Sequence, residues 1–442
     1  MFFEYNLPKA MPSYVDDSNR ATFNAVLKRI SERMDKLEHA LDLSGLSGEV
    51  FSVALEKVFD TNAEIHPIDS MTAEDIASLA ELMSDGVTAE PRLEWPNAEV
   101  IVDTAFVGRK EWEMLRMLGM GGSDAAVVMG ISPYNSRAML YHSKCGTKFP
   151  KQDAPDPGKE YIFEYGHRME DMVINQFCKR NGCTRVRETR MFRKKGYPFI
   201  TANIDAIVRF PTEELAVFEA KTTVEFNRDK WANHSCPPHY VPQCNQYMCV
   251  LDDPRIKRTF IGCIYGNTQN DFQSGVVLRD SEYEEDMIYA ESSFWKDNVL
   301  AGVEPEMSDN SEVNVQLVDK KIGYADKSTK NKPIPLSANF LPNIEKYLEV
   351  RDQRRLMEKQ VEAMKAQEDM LSLPIREALG ENIKGTVETG QSTYIVSFNP
   401  VSRTKVDNDK LMTVYPEAYA ACSETSAESY RTFSIKKCVP KK

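Results

Sequence analysis

Between Gly166 and Tyr247 the chain sets out, in a fixed order, residues that can do chemistry. Glu170 comes first, in Gly166-His167-Arg168-Met169-Glu170, and Asp205 follows inside Phe199-Ile200-Thr201-Ala202-Asn203-Ile204-Asp205-Ala206-Ile207-Val208. Glu219-Ala220-Lys221 is next, and Gln243 closes the series in Tyr240-Val241-Pro242-Gln243. Carboxylates are hard oxygen ligands suited to Mg²⁺, which keeps several waters and binds through one or two carboxylates plus substrate phosphate oxygens. A strand period of two puts Glu219 and Lys221 on one face, so that one holds the metal while the other stands beside the attacking water. Acid, acid, E-x-K and glutamine in this order are the parts of a Mg²⁺-dependent site for hydrolysing nucleic acid.

These residues need elements to hold them. Leu215-Ala216-Val217-Phe218 is a short apolar run that predicts a buried strand, delivering Glu219 at its end. Phe199 to Phe210 reads as one further strand with Asp205 in its middle, entered through a turn at Lys195-Gly196-Tyr197-Pro198. A lone aspartate among apolar neighbours is costly, so a metal, Lys221 or a backbone donor is expected against it. Glu170 belongs to a helical pattern with Met169, Met172, Val173 and Phe177.

Upstream, Gly121-Gly122-Ser123-Asp124 runs into the apolar stretch Ala125 to Met129, which predicts a loop feeding a helix with Ser123 near its N-cap. A helix N-terminus offers unpaired N–H groups to an anion, and Arg116 adds a forked, always-charged donor for a phosphate. Residues 185 to 195 hold Arg185, Arg187, Arg190, Arg193, Lys194 and Lys195 against the single acid Glu188. Arg185, Arg187 and Arg193 share strand parity and are expected to form a DNA-binding stripe leading to Asp205, with strongly salt-dependent affinity.

With these motifs on the page, the chain resembles the YqaJ viral recombinases, the branch of the PD-(D/E)XK nucleases that includes phage lambda exonuclease. The resemblance runs from Trp112-Glu113-Met114-Leu115-Arg116 through the G-G-S-D block and Gly130-Ile131-Ser132-Pro133-Tyr134 to Phe294-Trp295-Lys296-Asp297-Asn298-Val299, with Gly302 and Pro305. It implies that Glu170, Asp205, Glu219 and Lys221 are the catalytic set and that Gln243 is the glutamine of the following helix. It implies Mg²⁺, with Mn²⁺ as a substitute, held by Asp205, Glu219, the Ala220 carbonyl and Glu170, two ions stabilising the attacking and leaving oxygens. Arg116 and Ser123 correspond to a pair that contacts the 5′-phosphate of the degraded strand. Ile204 replaces the proline that names the superfamily, which shapes a turn and binds no metal. The implied activity is a 5′→3′ exonuclease on double-stranded DNA ends, leaving 3′ single strands for a phage single-strand annealing protein, with a homotrimer as the implied assembly. Two readings stand beside it: a RecB-like or CRISPR-adaptation nuclease, and a non-catalytic DNA-end-binding or host-inhibiting protein on the same fold.

At 442 residues the chain has length for two or three domains. Its net charge of −12 is unusual for a DNA-binding protein, so any basic face must be local. The nine cysteines show neither a C-x₂-C pair nor zinc spacing, and no iron–sulfur cluster is expected. The absence of a signal pattern or a long apolar run predicts a protein of the bacterial cytoplasm, phage or prophage encoded, with no membrane partner.

The expected fold class is α/β: a restriction-endonuclease-like core with a mixed central sheet flanked by helices, plus a helical N-terminal and an α+β C-terminal extension. The expected domains are a helical accessory domain at 1–100, the nuclease domain at 101–306, a linker or long loop at 307–338, and a long helix with a small β module at 339–442. Phe23, Val26, Leu27, Ile30, Met34, Leu37 and Leu41 recur at helical spacing, and Thr72 with Asp75 predicts a capping box. From Pro342 to Leu371 the apolar positions approach heptad spacing, interrupted by Arg354 and Glu368. Strands are expected at 393–398 and 431–435, with Gly390 as a hairpin turn.

Overall fold

The computed structural model describes residues 1–59, 66–151, 156–324, 328, 333–389, 391–400, 406–423, 433 and 435. The chain packs as two units, Met1–Gly323 and Tyr324–Lys442.

The first unit opens with α1 (Asp17–Ser44), α2 (Gly48–Glu56) and α3 (Ala73–Met83). The residues read at helical spacing face inward: Val26, Leu27, Ile30, Met34 and Leu37 are buried, and Gly45 closes α1 at φ 65°, where a residue without Cβ is favoured. The Thr72–Asp75 capping box starts α3. The same apolar cluster takes in Ile101 and Val102 of β1 (Ala98–Asp103), together with Phe106, Leu115 and Met191. Arg33 is buried in it, paired with Asp69 at 2.6 Å and with Glu111 at 2.7 Å.

Then come α4 (Arg109–Leu115), α5 (Gly122–Val128), α6 (Arg137–Cys145) and α7 (Pro157–Asn181). Next are β2 (Thr184–Val186), β3 (Arg190–Lys194), β4 (Tyr197–Asn203), β5 (Ala206–Arg209) and β6 (Leu215–Thr222). Helix α8 (Val241–Leu251) leads to β7 (Ile256–Ile264) and β8 (Phe272–Leu278), followed by α9 (Ser281–Ser293). One sheet is three-stranded, β1-β3-β4, and antiparallel. The other has the order β2-β5-β6-β7-β8, with β6 and β7 parallel and the remaining pairs antiparallel. A parallel pair requires a crossover, and α8 supplies it.

Strand parity decides which helix covers which face. Ala206, Val208, Ala216 and Phe218 pack with Val173, Ile174 and Phe177 of α7. Ile207, Leu215 and Val217 share the opposite cluster with Cys244 and Met248 of α8. The class is thus α/β, a mixed sheet flanked by helices.

Two expectations need correction. Phe199 to Phe210 is not one strand: β4 and β5 belong to different sheets, and the chain bends at Asp205 between them. The carboxylate there takes the Ala220 N–H, a bond that a continuous ladder would have used. Within the stretch read as a linker, Ser311–Ile322 forms α10, capped by Asn310 and burying Asn314 and Leu317. Most of its residues are middling or poor helix formers, and Leu317 is the one apolar side chain it buries, so neither propensity nor an apolar period marks it.

The second unit holds α11 (Leu341–Leu379), the hairpin β9 (Lys384–Glu388) with β10 (Thr393–Ser397), and α12 (Asn408–Val414) and α13 (Pro416–Cys422). Thr393 to Ser397 is thus a strand, as its composition predicts. Gly390, and residues 431–435 apart from Phe433 and Ile435, lie outside the described residues. No described helix is long and apolar enough to cross a membrane.

Candidate active site

The odd positions of β6 face α8, so Glu219 and Lys221 follow Val217 onto that side of the sheet. Glu219 is only 1% exposed. Its Oε1 accepts from the Lys221 ammonium and from Gln243 Nε2 at 2.6 Å, and the same Gln243 nitrogen lies 2.6 Å from the Tyr247 hydroxyl. Asp205 Oδ2 accepts from the Ala220 N–H at 2.8 Å. The N–H and C=O of a strand residue point to the same edge, so the Ala220 carbonyl faces the Asp205 side, where pairing with β5 has ended. Asp205, Glu219, Lys221 and Gln243 are therefore brought together, and Lys221 also lies 5.2 Å from the centre of the Tyr240 ring.

Electrostatics ties Glu170 to this group. Burial, then the charges of Glu219 and Glu170, push the Asp205 carboxyl well above its ordinary pKa, although Lys221 opposes them. Burial also raises Glu170, which is partly exposed on α7, against the countering charges of His167 and Arg185. For Lys221, burial disfavours the charged form, but Glu219 and Asp205 outweigh it and hold the ammonium protonated. Burial and the same two carboxylates push the Tyr247 phenol well up.

A second cluster surrounds the glycine pair. Arg116 Nη2 donates to Ser123 Oγ at 2.7 Å, and the guanidinium lies 4.9 Å from the Trp112 ring. Ser123 is not the cap: Gly121 is the N-cap residue, and Asp124 accepts its N–H at 3.0 Å. Asp124 is buried, yet the charges of Lys144 and Arg116 hold its pKa below the usual range. Lys144 Nζ donates to Asp124 at 2.6 Å and to the Arg116 carbonyl at 2.9 Å. A Cβ on Gly122 would stand 2.9 Å from both Gln243 Cγ and Tyr247 Cε1, so α5 packs directly on Gln243.

Residues 111–253 match the family described as the YqaJ-like viral recombinase domain, a span that holds every residue of both clusters. Over that span the chain is similar to the YqaJ-like viral recombinase domain. The uncharacterized protein YqaJ of Bacillus subtilis (strain 168) is 28% identical over 339 residues, covering 77% of this chain and 98% of that protein. An alkaline exonuclease (LHK-Exo) from Laribacter hongkongensis is 15% identical, covering 44% of this chain and 94% of that one with a TM-score of 0.35. The structure of LHK-Exo in complex with dAMP scores 0.36 at the same identity and coverage.

The arginine stripe expected to lead to Asp205 is broken. Arg185 lies on β2 and pairs with Asp171, with its Nη2 3.5 Å from the Asp205 carbonyl. Arg187 falls outside the strands, bonded to Glu56 and to Ser52. Arg193 is on β3 of the other sheet, held by both oxygens of Glu99 at 2.6 and 2.9 Å. Parity gives a stripe only within a single strand, and these three residues occupy three different settings.

Sequence reasoning missed Tyr247, Lys144 and Gln246. Tyr247 stands four residues after Gln243, on the same helix face, which is a signal that could have found it. Gln246 Nε2 donates to the carbonyls of Met120 and Thr201, both at 2.8 Å, and so holds α8 against β4 and the loop before α5. Nothing local marks Lys144, whose partners lie 20 and 28 residues away.

The donor set fits a hard divalent cation. Glu219 Oε2 is buried with no hydrogen-bond partner, a costly state that a cation would relieve. After burial, Asp205 is raised by the charges of Glu219 and Glu170, and Glu170 by those of Glu219 and Asp171, negative charge that the same cation would offset. Among the described residues, no group of three or more His, Cys, Asp or Glu side chains is placed to hold a metal ion by itself, so the fit rests on Glu219 and Asp205 with the Ala220 carbonyl. Lys221 sits on the other oxygen of Glu219.

Proposed function

We propose that this chain is a divalent-metal-dependent deoxyribonuclease that degrades linear duplexes from their ends. Mg²⁺ is the natural ion, the polarity is 5′→3′, and the product is a 3′ single strand for recombination. The observation that carries the reading is the buried Glu219, whose Oε2 lacks a partner while Lys221 and Gln243 hold Oε1. The YqaJ-like match over 111–253 supports it independently.

A bound divalent ion supplies Lewis-acid charge and a more acidic water. Asp205, Glu219 and the Ala220 carbonyl are the groups that would hold it, with Glu170 beside them. Lys221 is protonated, so it acts as an orienting cation for water and phosphate rather than as a base at neutral pH. Gln243 fixes the Glu219 carboxylate from one side, leaving Oε2 for the ion. Arg116 and Ser123 take the terminal 5′-phosphate, which carries more charge than an internal diester and favours a forked guanidinium donor.

Linear duplexes labelled separately at the 5′ and 3′ ends, with a closed circle as control, test this. The 5′ label is lost first and only with divalent metal, and the circle survives. Asp205→Ala and Lys221→Ala each slow cleavage about a thousandfold, equivalent to about 4 kcal/mol of transition-state stabilisation, with a cooperative melting transition retained in each. Duplexes with 5′-hydroxyl ends are cut more slowly than phosphorylated ones, and Arg116→Ala removes that difference. A folded Lys221→Ala enzyme with wild-type rates rules out the cleavage site. Equal wild-type rates on the two kinds of end rule out only the phosphate anchor.

A further inference from the structure

The long helix α11 of the second unit spans 39 residues, and every residue from Asp352 to Leu371 is exposed. Val350, Met357, Val361, Met364, Leu371 and Ile375 are 48–66% exposed and follow one another at three- and four-residue steps, with Arg354 and Glu368 completing the seam. Among the described residues, Phe433 packs on Tyr347 and the Ile435 carbonyl accepts from Arg351, both near the start of the helix. An apolar seam with a period of three and a half residues is what two-stranded coiled coils bury, and left in water it favours association.

We propose that α11 pairs with α11 of a second copy of this chain as an antiparallel coiled coil, its two-fold axis falling between Val361 and Met364. The two polar interruptions select this partner and direction. A parallel pair in register sets Arg354 against Arg354 and Glu368 against Glu368, two like-charge layers in the seam. The antiparallel pair sets Val361 against Met364, Met357 against Glu368, Arg354 against Leu371 and Val350 against Ile375. Each Arg354 then lies about 4.5 Å of helix rise from the second copy's Glu368, within reach of a guanidinium. Flanking the seam, Glu358 and Lys365 meet across the same axis, twice, as opposite charges. A pattern complementary to its own reverse selects a second copy of the same helix. The pairing joins two copies of the chain whatever the first unit does.

Light scattering and sedimentation equilibrium on the full chain test it. The expected mass is twice 50.3 kDa, falling toward the monomer on dilution. Glu368→Arg and Arg354→Glu each weaken the dimer at least tenfold, because each places like charges near one another across the antiparallel seam. The double variant Arg354→Glu/Glu368→Arg restores it. Met364→Asp abolishes it, and far-UV spectra together with the melting transition of the first unit report folding in every variant. A chain that is monomeric at all concentrations overturns the proposal. So does an assembly whose mass Met364→Asp leaves unchanged, or a double variant no tighter than the singles, the outcome expected of a parallel pair.

Discussion

Glu219 and Glu291 are both almost wholly buried carboxylates, set in different surroundings. Glu219 sits against Lys221 and Gln243. Glu291, on α9, has no hydrogen-bond partner on either oxygen, and Ala125, Met287 and Cys249 are the buried apolar cluster of that region. Burial first, then the charge of Asp124, raises its pKa well above the ordinary value, with Lys144 opposing. The folded pKa therefore exceeds the unfolded one, about 4.3 for a glutamate. The corresponding stability is fully present below that pH and is lost as pH rises toward the folded pKa, at about 1.4 kcal/mol per unit. Glu291→Gln removes this titration. Its melting temperature matches the wild type near about pH 4.5 and exceeds it increasingly as pH rises, until the folded pKa of Glu291 is passed. A difference that does not change with pH would show that Glu291 is paired in solution.

At the scale of elements, the contact between α5 and α8 links the Arg116–Ser123 cluster to the Glu219–Gln243 cluster. Gly122 permits it, since a Cβ there meets Gln243 and Tyr247 at 2.9 Å, whereas a Cβ on Gly121 meets nothing nearer than 3.9 Å. Overpacking of this kind typically costs about 1–3 kcal/mol. Gly122→Ala is expected to lower the melting temperature and slow cleavage by moving Gln243 off Glu219, while Gly121→Ala changes neither. Thermal melts and single-turnover rates on one labelled duplex check both variants, and a Gly122→Ala enzyme with wild-type rate and stability contradicts the coupling. Of this arrangement the sequence displayed the ends, a G-G-S-D block and a glutamine, but not that they touch. The two sites are more than a hundred residues apart, and only the packing of α5 on α8 joins them.

At the scale of the whole molecule, the chain carries a net charge of −12 and divides into two units. The candidate metal site lies wholly in Met1–Gly323. A ligand stabilises only the cooperative unit that binds it. Scanning calorimetry with and without Mg²⁺ is expected to show two transitions, of which one rises in temperature with the ion and falls back with a chelator. Binding to carboxylates whose pKa values are raised, as those of Asp205 and Glu170 are, also releases protons wherever those groups are still protonated, so the heat of Mg²⁺ binding depends on the buffer increasingly as pH falls. If neither transition moves with Mg²⁺, the carboxylates do not hold it.

The sequence by itself determined the covalent spacing that matters most. A two-residue step sends Glu219 and Lys221 to one face, an apolar run ends at Glu219, and Gln243 opens the helix that covers that face; these are short-range consequences of strand and helix periods. The helical spacing of α1 and the α3 capping box were legible for the same reason. Three matters were decided only by the tertiary structure: the break at Asp205, the dispersal of Arg185, Arg187 and Arg193, and the buried Lys144 and Glu291. Each depends on which distant segment lies opposite: Ala220 across from Asp205, Glu56 and Glu99 beside the arginines, α6 and α9 beneath α5. Local periodicity carries no information about a partner brought near by folding, and burial and ion pairing belong to that partner as much as to the residue.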